Sequence, residues 1–236
     1  MAYSICHKET TMRVDAILFD LDGTLIDSAP TISSILNGMR QELGKPPHNI
    51  QRYREWVSLG AEELIILALE VSGNQVTVLL EKFRTIYKKT PTPENTVNTG
   101  VTETLTTLLA ADIRLAICSN KPTLLCEKIL KETQLKQYFS YVVGGGATAR
   151  PKPSRDPIDC ALTAMKISHD RALLVGDSTV DQGAAKAAGI PFIFFTNGYN
   201  DGVIEELASA SIGRINDLLM LDFFSDNTSA TKLIKR

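Results

Sequence analysis

Ala16-Ile17-Leu18-Phe19-Asp20-Leu21-Asp22-Gly23-Thr24 is the stretch on which the chain's fold turns. Its apolar start, rich in strand formers, reads as a buried strand. The run stops at Asp20, so a carboxylate stands at the strand's C-terminal end, where open α/β sheets bind ligands. Asp22 follows two residues on. One of such a pair can act as nucleophile or metal ligand while the other moves protons. Gly23 permits the sharp turn that this placement needs. In isolation an ordinary Asp-Gly turn would look the same, and the rest of the chain decides between the two.

The 236 residues are 44% hydrophobic and 22% charged, an ordinary globular composition with room for one large domain or two modest ones. A net charge of −2 offers no basic field for nucleic acid, and no apolar run is long enough to span a membrane. Residues 1–12 are polar and lack the apolar centre of a secretion signal; with the polar stretch 225–236 they read as frayed extensions. Cys6, Cys118, Cys126 and Cys160 show neither zinc-like nor redox-pair spacing, and suit reduced thiols in a cytoplasmic protein. His7, His48 and His169 are scattered without metal-ligand spacing.

Strand-like runs recur at 14–20, 113–118, 140–143, 172–176 and 192–196, with helical patterns near 101–110, 122–132, 155–166 and 180–188. Strands alternating with helices predict an α/β fold, a doubly wound parallel sheet with helices on both faces. The interval 28–90 breaks the alternation. Ile32, Ile35, Leu36, Met39 and Leu43 recur at helical spacing, as do Leu64, Leu67, Ala68 and Val71, and then Val78, Leu79, Phe83 and Tyr87. The expectation is a core domain of residues 12–27 and 91–225, with an all-helical cap domain, 28–90, inserted between. Thr90-Pro91-Thr92-Pro93 is a stiff stretch that returns the chain to the core. A cap that starts beside the Asp-rich strand end is placed to act as a lid.

Three further strand ends carry chemistry. Ser119-Asn120-Lys121 offers a hydroxyl and an amide ahead of a helix, a setting that suits an anion or an ordinary cap. Arg150-Pro151-Lys152-Pro153 holds a lysine in a loop stiffened by two prolines. Gly176-Asp177-Ser178-Thr179-Val180-Asp181 puts another aspartate at a strand end, with Asp181 one helical turn further on. Acids, a hydroxyl and an ammonium at successive strand ends are the parts of a phosphoryl-transfer site.

These four motifs resemble those of the haloacid dehalogenase superfamily, in its phosphatase branch with a helical cap, and the resemblance runs from about residue 14 to 221. A further likeness, to phosphoglycolate phosphatases, lies in Glu55-Trp56-Val57-Ser58-Leu59-Gly60-Ala61, similar to their cap loop, in Ala184-Ala185-Lys186-Ala187-Ala188-Gly189, and in Thr196-Asn197-Gly198-Tyr199-Asn200. The resemblance implies a Rossmann-like core and a Mg²⁺-dependent hydrolase of a small phosphorylated metabolite, 2-phosphoglycolate foremost, working through an aspartyl phosphate. It implies Asp20 as nucleophile, Asp22 as general acid and base, and Mg²⁺ on Asp20, Asp177 and the Asp22 carbonyl. It further implies Ser119, Asn120 and Lys152 on the phosphoryl group, Asp181 supporting them from behind, and Gly60 of the cap facing substrate. Lys121 is left outside this set. Asp22 favours an alcohol leaving group, since release of halide needs no proton donor. Hydrolysis of a nucleotide, pyrophosphate or sugar phosphate, a sugar phosphomutase, and a non-catalytic binding module are the alternatives. Oligomeric state has no signature in the chain.

Overall fold

The computed structural model describes residues 13–224, so Cys6, His7 and both expected extensions lie outside the described residues. Six parallel strands form one sheet in the order β3-β2-β1-β4-β5-β6. They are β1 Ala16–Phe19, β2 Arg114–Pro122, β3 Tyr141–Gly145, β4 Ala172–Gly176, β5 Phe192–Phe195 and β6 Ala210–Ile212. Between β1 and β2 lie the helices α1 Ala29–Glu42, α2 Ile50–Val57, α3 Ala61–Leu69, α4 Asn74–Lys89 and α5 Val101–Ala110. After β2 come α6 Thr123–Glu132, α7 Asp156–Met165 and α8 Thr179–Ala188.

Strands β1, β4 and β5 are apolar throughout because both faces are covered. Ile17, Phe19, Leu115, Ile117, Leu173 and Val175 join the cluster built with α5 and α6, while Ala16, Leu18, Ala116, Cys118 and Leu174 join α7 and α8. Central β1 pairs with β2 and β4, with Phe19 opposite Ile117 and Val175. That register delivers Asp20, Ser119 and Asp177 to one edge of the sheet within a residue of each other. The edge strand β6, Ala-Ser-Ile, has no apolar run and was not expected from the sequence.

Helices α1 to α4 form the expected all-helical insertion, with several differences in detail. Residues 50–57 are helical although mostly polar; Asn49 caps them by accepting from Gln51 N at 3.0 Å, and Tyr53 is their one buried side chain. The inward stripe of α4 is Val76, Leu80, Phe83 and Tyr87; Val78, expected there, is 69% exposed. Val76 and Leu80 share a face one turn apart, and Val78 falls on the opposite side. In α3 the buried residues include Ile65 and Leu69, while the expected Leu67 and Val71 are half-buried, and Leu43 lies past the end of α1, exposed.

The insertion is held by a buried cation. Arg40 donates to Pro46 O at 2.6 Å and to Ala68 O at 2.6 Å, the latter an orphan carbonyl of α3's last turn. The entering and leaving chains pair at Ile26 and Val97, with Asp27 N donating to Thr96 O at 2.8 Å and Asn98 N to Leu25 O at 2.9 Å. Among the described residues no single helix is long and apolar enough to cross a membrane.

Arg40→Met is expected to destabilise the protein by about 2–4 kcal/mol, because three acceptors, Pro46 O, Ala68 O and the Glu70 carboxylate, lose a charged donor. Urea unfolding checks this, and a change below about 0.5 kcal/mol, the ordinary range of a surface substitution, would show that Arg40 is not the anchor.

Candidate active site

The site lies at the C-terminal edge of the sheet, where three carboxylates converge. Asp20, Asp177 and Asp181 are buried, and they can present oxygens within 4.8 Å of one another. Lys152 reaches between them, with Nζ 2.7 Å from Asp20 Oδ1 and 2.5 Å from Asp181 Oδ1. The proline-flanked loop is clamped to β2 through Asn120: Lys152 N donates to Asn120 Oδ1 at 2.9 Å, and Asn120 Nδ2 donates to Lys152 O at 2.9 Å. Asn120, expected on the phosphoryl group, thus also uses its amide to fix the lysine's backbone. Ser119 is buried beside it, and both line a small cavity of about 20 Å³ with Asp20, Asp22 and Lys152.

Asp181 belongs to the supporting frame. Its Oδ2 accepts from Ser178 N at 3.2 Å and from Ser178 Oγ, closing a capping box at the start of α8. Asp177 is held on both oxygens, Oδ1 by Thr24 Oγ1 at 2.6 Å and Oδ2 by Tyr199 N at 2.7 Å. Glycine makes this approach possible: a Cβ on Gly23 (φ +87°) or on Gly198 would fall inside the Asp177 side chain.

Three carboxylates against one ammonium leave buried negative charge uncompensated. Burial pushes the Asp20 carboxyl up to about 7, against the pull of Lys152, and raises Asp177 well above the carboxylate range, with the Asp20 and Asp181 charges adding to the rise. Burial alone would discharge Lys152, yet the charges of Asp181 and Asp20 outweigh it and hold the lysine protonated. Hard oxygen donors carrying excess negative charge are the donor set that suits a divalent cation.

Sequence reasoning passed over Lys121. Its Nζ lies 3.0 Å from Asp22 Oδ1 and 2.9 Å from Oδ2, and 4.6 Å from the centroid of the Tyr87 ring on α4. The cation therefore ties Asp22 to the helical insertion. Thr24 and Tyr199 were passed over as well. Tyr199 also accepts from Ala29 N at 2.9 Å and donates to Asp27 Oδ1 at 3.0 Å, while Arg54 of α2 holds Asp27 Oδ2 at 2.8 Å.

The cap contributes Val57 and Ser58 to the wall of the cavity around Asp20. Glu55, Trp56 and Val57, expected in a loop, end α2. Gly60 lies one chamber away, lining a second cavity of about 40 Å³ that shares Asp22, Val57, Asn120 and Lys121 with the first. A Cβ on Gly60 would meet no atom within 4 Å, so what constrains that position is its φ of +100°.

Fold and site together define a doubly wound sheet with a capped carboxylate centre at its C-terminal edge. The model of the haloacid dehalogenase-like hydrolase family matches residues 17–195. A phosphoglycolate phosphatase of Pseudomonas aeruginosa is 32% identical over 86% of this chain and 78% of its own. One from Photorhabdus laumondii is 33% identical over 93% of each. A crystal structure from Haemophilus somnus, described as a predicted phosphoglycolate phosphatase, superimposes with a TM-score of 0.78 at 26% identity, covering 88% of this chain and 97% of that one. The chain belongs to the haloacid dehalogenase-like hydrolase family, and its relatives class it as a phosphoric monoester hydrolase.

If Lys121 positions Asp22, Lys121→Met should lower kcat on an alkyl phosphate about 10- to 100-fold, within the range of general acid–base catalysis, with Lys121→Arg recovering part of the loss. Steady-state kinetics beside thermal melting checks it. An unchanged kcat in a folded Lys121→Met protein would remove Lys121 from the machinery.

Proposed function

We propose that the protein hydrolyses a small phosphate monoester, 2-phosphoglycolate, to glycolate and phosphate through an aspartyl phosphate on Asp20. The observation that carries this is the buried Asp20 carboxylate beside Asp22 and 2.7 Å from the Lys152 ammonium, at the wall of a cavity that Ser119 and Asn120 also line. Relatives named for phosphoglycolate support the choice of substrate.

Asp20 attacks phosphorus; as the new O–P bond forms the ester O–P bond breaks, and Asp22 gives its proton to the departing alcohol oxygen. Water then attacks the same phosphorus, Asp22 takes the water's proton, and the Asp20–phosphorus bond breaks to release phosphate. Lys152, Ser119 and Asn120 face the phosphoryl oxygens, with Lys152 neutralising the charge that gathers there. Asp181 and Ser178 keep Lys152 aimed. The donor set fits Mg²⁺, held by Asp20, Asp177 and the backbone carbonyl of Asp22. When bound, the ion supplies positive charge that lets an anionic nucleophile meet an anionic ester. Helices α1 to α4 act as a cap domain that excludes water. Free Cys118, Cys126 and Cys160 accord with a reducing, cytoplasmic setting.

Asp20→Asn is expected to fold and to lose kcat by several orders of magnitude, roughly 10⁴-fold or more, since an amide is neither a nucleophile nor a metal ligand of comparable strength. Assay of the purified variant on 2-phosphoglycolate decides, and substantial turnover sinks the assignment.

Metal removal has a pH signature. A folded-state carboxyl raised from 3.8 to about 7 holds a proton that the unfolded chain has released. Metal-free stability is therefore greatest below the unfolded value and falls as pH rises through that window. The Tm in EDTA should drop between about pH 4 and pH 7, and Mg²⁺, which needs the deprotonated carboxylates, should restore it more at the upper end. Activity should vanish in EDTA and return with Mg²⁺. A Tm indifferent to Mg²⁺ at every pH would contradict metal binding by these aspartates.

A further inference from the structure

Beyond Asp22 the active-site cavity opens into the second chamber, enclosed by the cap. Its lining is apolar over most of its extent, from Ile32, Leu64, Phe83, Tyr87 and Leu125 among others. Two cations line it, Lys121 and Arg84. Lys121 is engaged by both oxygens of Asp22. Arg84 is not so engaged. Its Nη1 donates to Glu81 at 2.7 Å on the protein surface, but its Nε is buried and has no hydrogen-bond partner. Among the described residues the only other buried side-chain polar atom in that condition is Thr104 Oγ1. A buried, unpaired guanidinium N–H is costly unless a ligand satisfies it.

Arg84 also lines the wider cleft of about 780 Å³ that leads to Lys152 from the side of Gly146 and Thr148. It thus stands where the entrance meets the chamber. Asp22 lines both small cavities. An ester with its phosphoryl group against Asp20 therefore has its leaving alcohol on the Arg84 side of Asp22. A chamber of about 40 Å³ accommodates only a few heavy atoms.

Resting on the proposed monoesterase activity, we infer that Arg84 is a specificity-determining residue that binds a carboxylate carried by the leaving alcohol. The substrate class is a phosphate ester of a very small 2-hydroxy acid. The anion satisfies the orphan Nε–H, and the planar guanidinium offers a second N–H to the same group. The arrangement divides labour. Asp20, Asp22 and Lys152 treat every phosphate ester alike, and Arg84 distinguishes a charged leaving group from a neutral one by leaving its own buried donor unpaired when the charge is missing.

The test compares 2-phosphoglycolate with its neutral isostere 2-phosphoglycolamide in wild type, Arg84→Met and Arg84→Lys, using kcat and KM for each. The wild-type protein is expected to prefer the acid over the amide about 10- to 100-fold in kcat/KM, the worth of a hydrogen bond to a charged group. Arg84→Met should erase most of that preference through KM for the acid, and Arg84→Lys should keep part of it. Loss of turnover by Arg84→Met in the same proportion on both esters, or a preference that survives the substitution, overturns the role of Arg84. A wild-type protein that hydrolyses the amide as well as the acid overturns it too, while the phosphatase reading stands. Absence of turnover on either ester and on p-nitrophenyl phosphate overturns both.

Discussion

The ammonium of Lys152, buried between Asp20 and Asp181, is the interaction around which the catalytic edge is arranged. A lone buried cation would be untenable, and so would two buried carboxylates side by side. Each justifies the other only if their positions are fixed. The fixing is done by hydrogen bonds from neighbouring elements. Asn120 grips the backbone of Lys152 from β2, and Ser178 grips Asp181 from the first turn of α8. Gly176 lets the end of β4 pass so close to Asp181 that a Cβ there would overlap its carboxylate. The charge balance is still incomplete, because Asp177 adds a third acid to the cluster with neutral partners only. That residual negative charge links the stability of the fold to the binding of a cation.

A second set of contacts couples this edge to the helical insertion. Lys121 bridges Asp22 on the core and the Tyr87 ring on α4. On the opposite side of the linker, Asp27 receives Arg54 from α2 and Tyr199 from the loop after β5. Tyr199 also holds Asp177 through its backbone N–H. The position of the insertion and the orientation of the catalytic carboxylates therefore share residues. A movement of α2 or α4 cannot leave Asp22 and Asp177 indifferent, because they share these contacts.

The sequence carried the core plainly, for a physical reason. Strands covered on both faces must be apolar at every position, so β1, β2 and β4 stand out even in isolation. Strand β6 is short, sits at the edge and is partly exposed, and Ala-Ser-Ile carries no such mark. Helix α2 fully buries only Tyr53, and its apolar positions Ile50, Tyr53, Trp56 and Val57, though at helical spacing, stand among charges over barely two turns, too short a run to read. The site divides in the same way. Asp20, Asp22, Lys152 and Asp177 follow from strand ends and motif order. Lys121 does not, because its role depends on a Tyr87 that lies 34 residues earlier in the numbering and reaches it only through packing. Arg84 is still less legible: one arginine on a helix rich in charge looks like a solvated side chain, and only burial of its Nε sets it apart.

The two chambers on either side of Asp22 show how a single centre can be both general and selective. On one side the walls are charged, and the groups there match what all phosphate monoesters share. On the other the walls are mostly apolar, and Arg84, paired with Glu81 at its outer end, keeps a buried Nε–H without a partner. Asp22 lines both, as the proposed reaction requires of the group that would protonate the atom joining the phosphoryl group to the rest of the substrate. Changing the cap's lining would alter which alcohol is accepted without disturbing the triad of Asp20, Lys152 and Asp181, because none of the three touches the second chamber. Lys121 is the exception. It lines both chambers and holds Asp22 by its carboxylate, so it is the point at which substrate choice and chemistry cannot be separated.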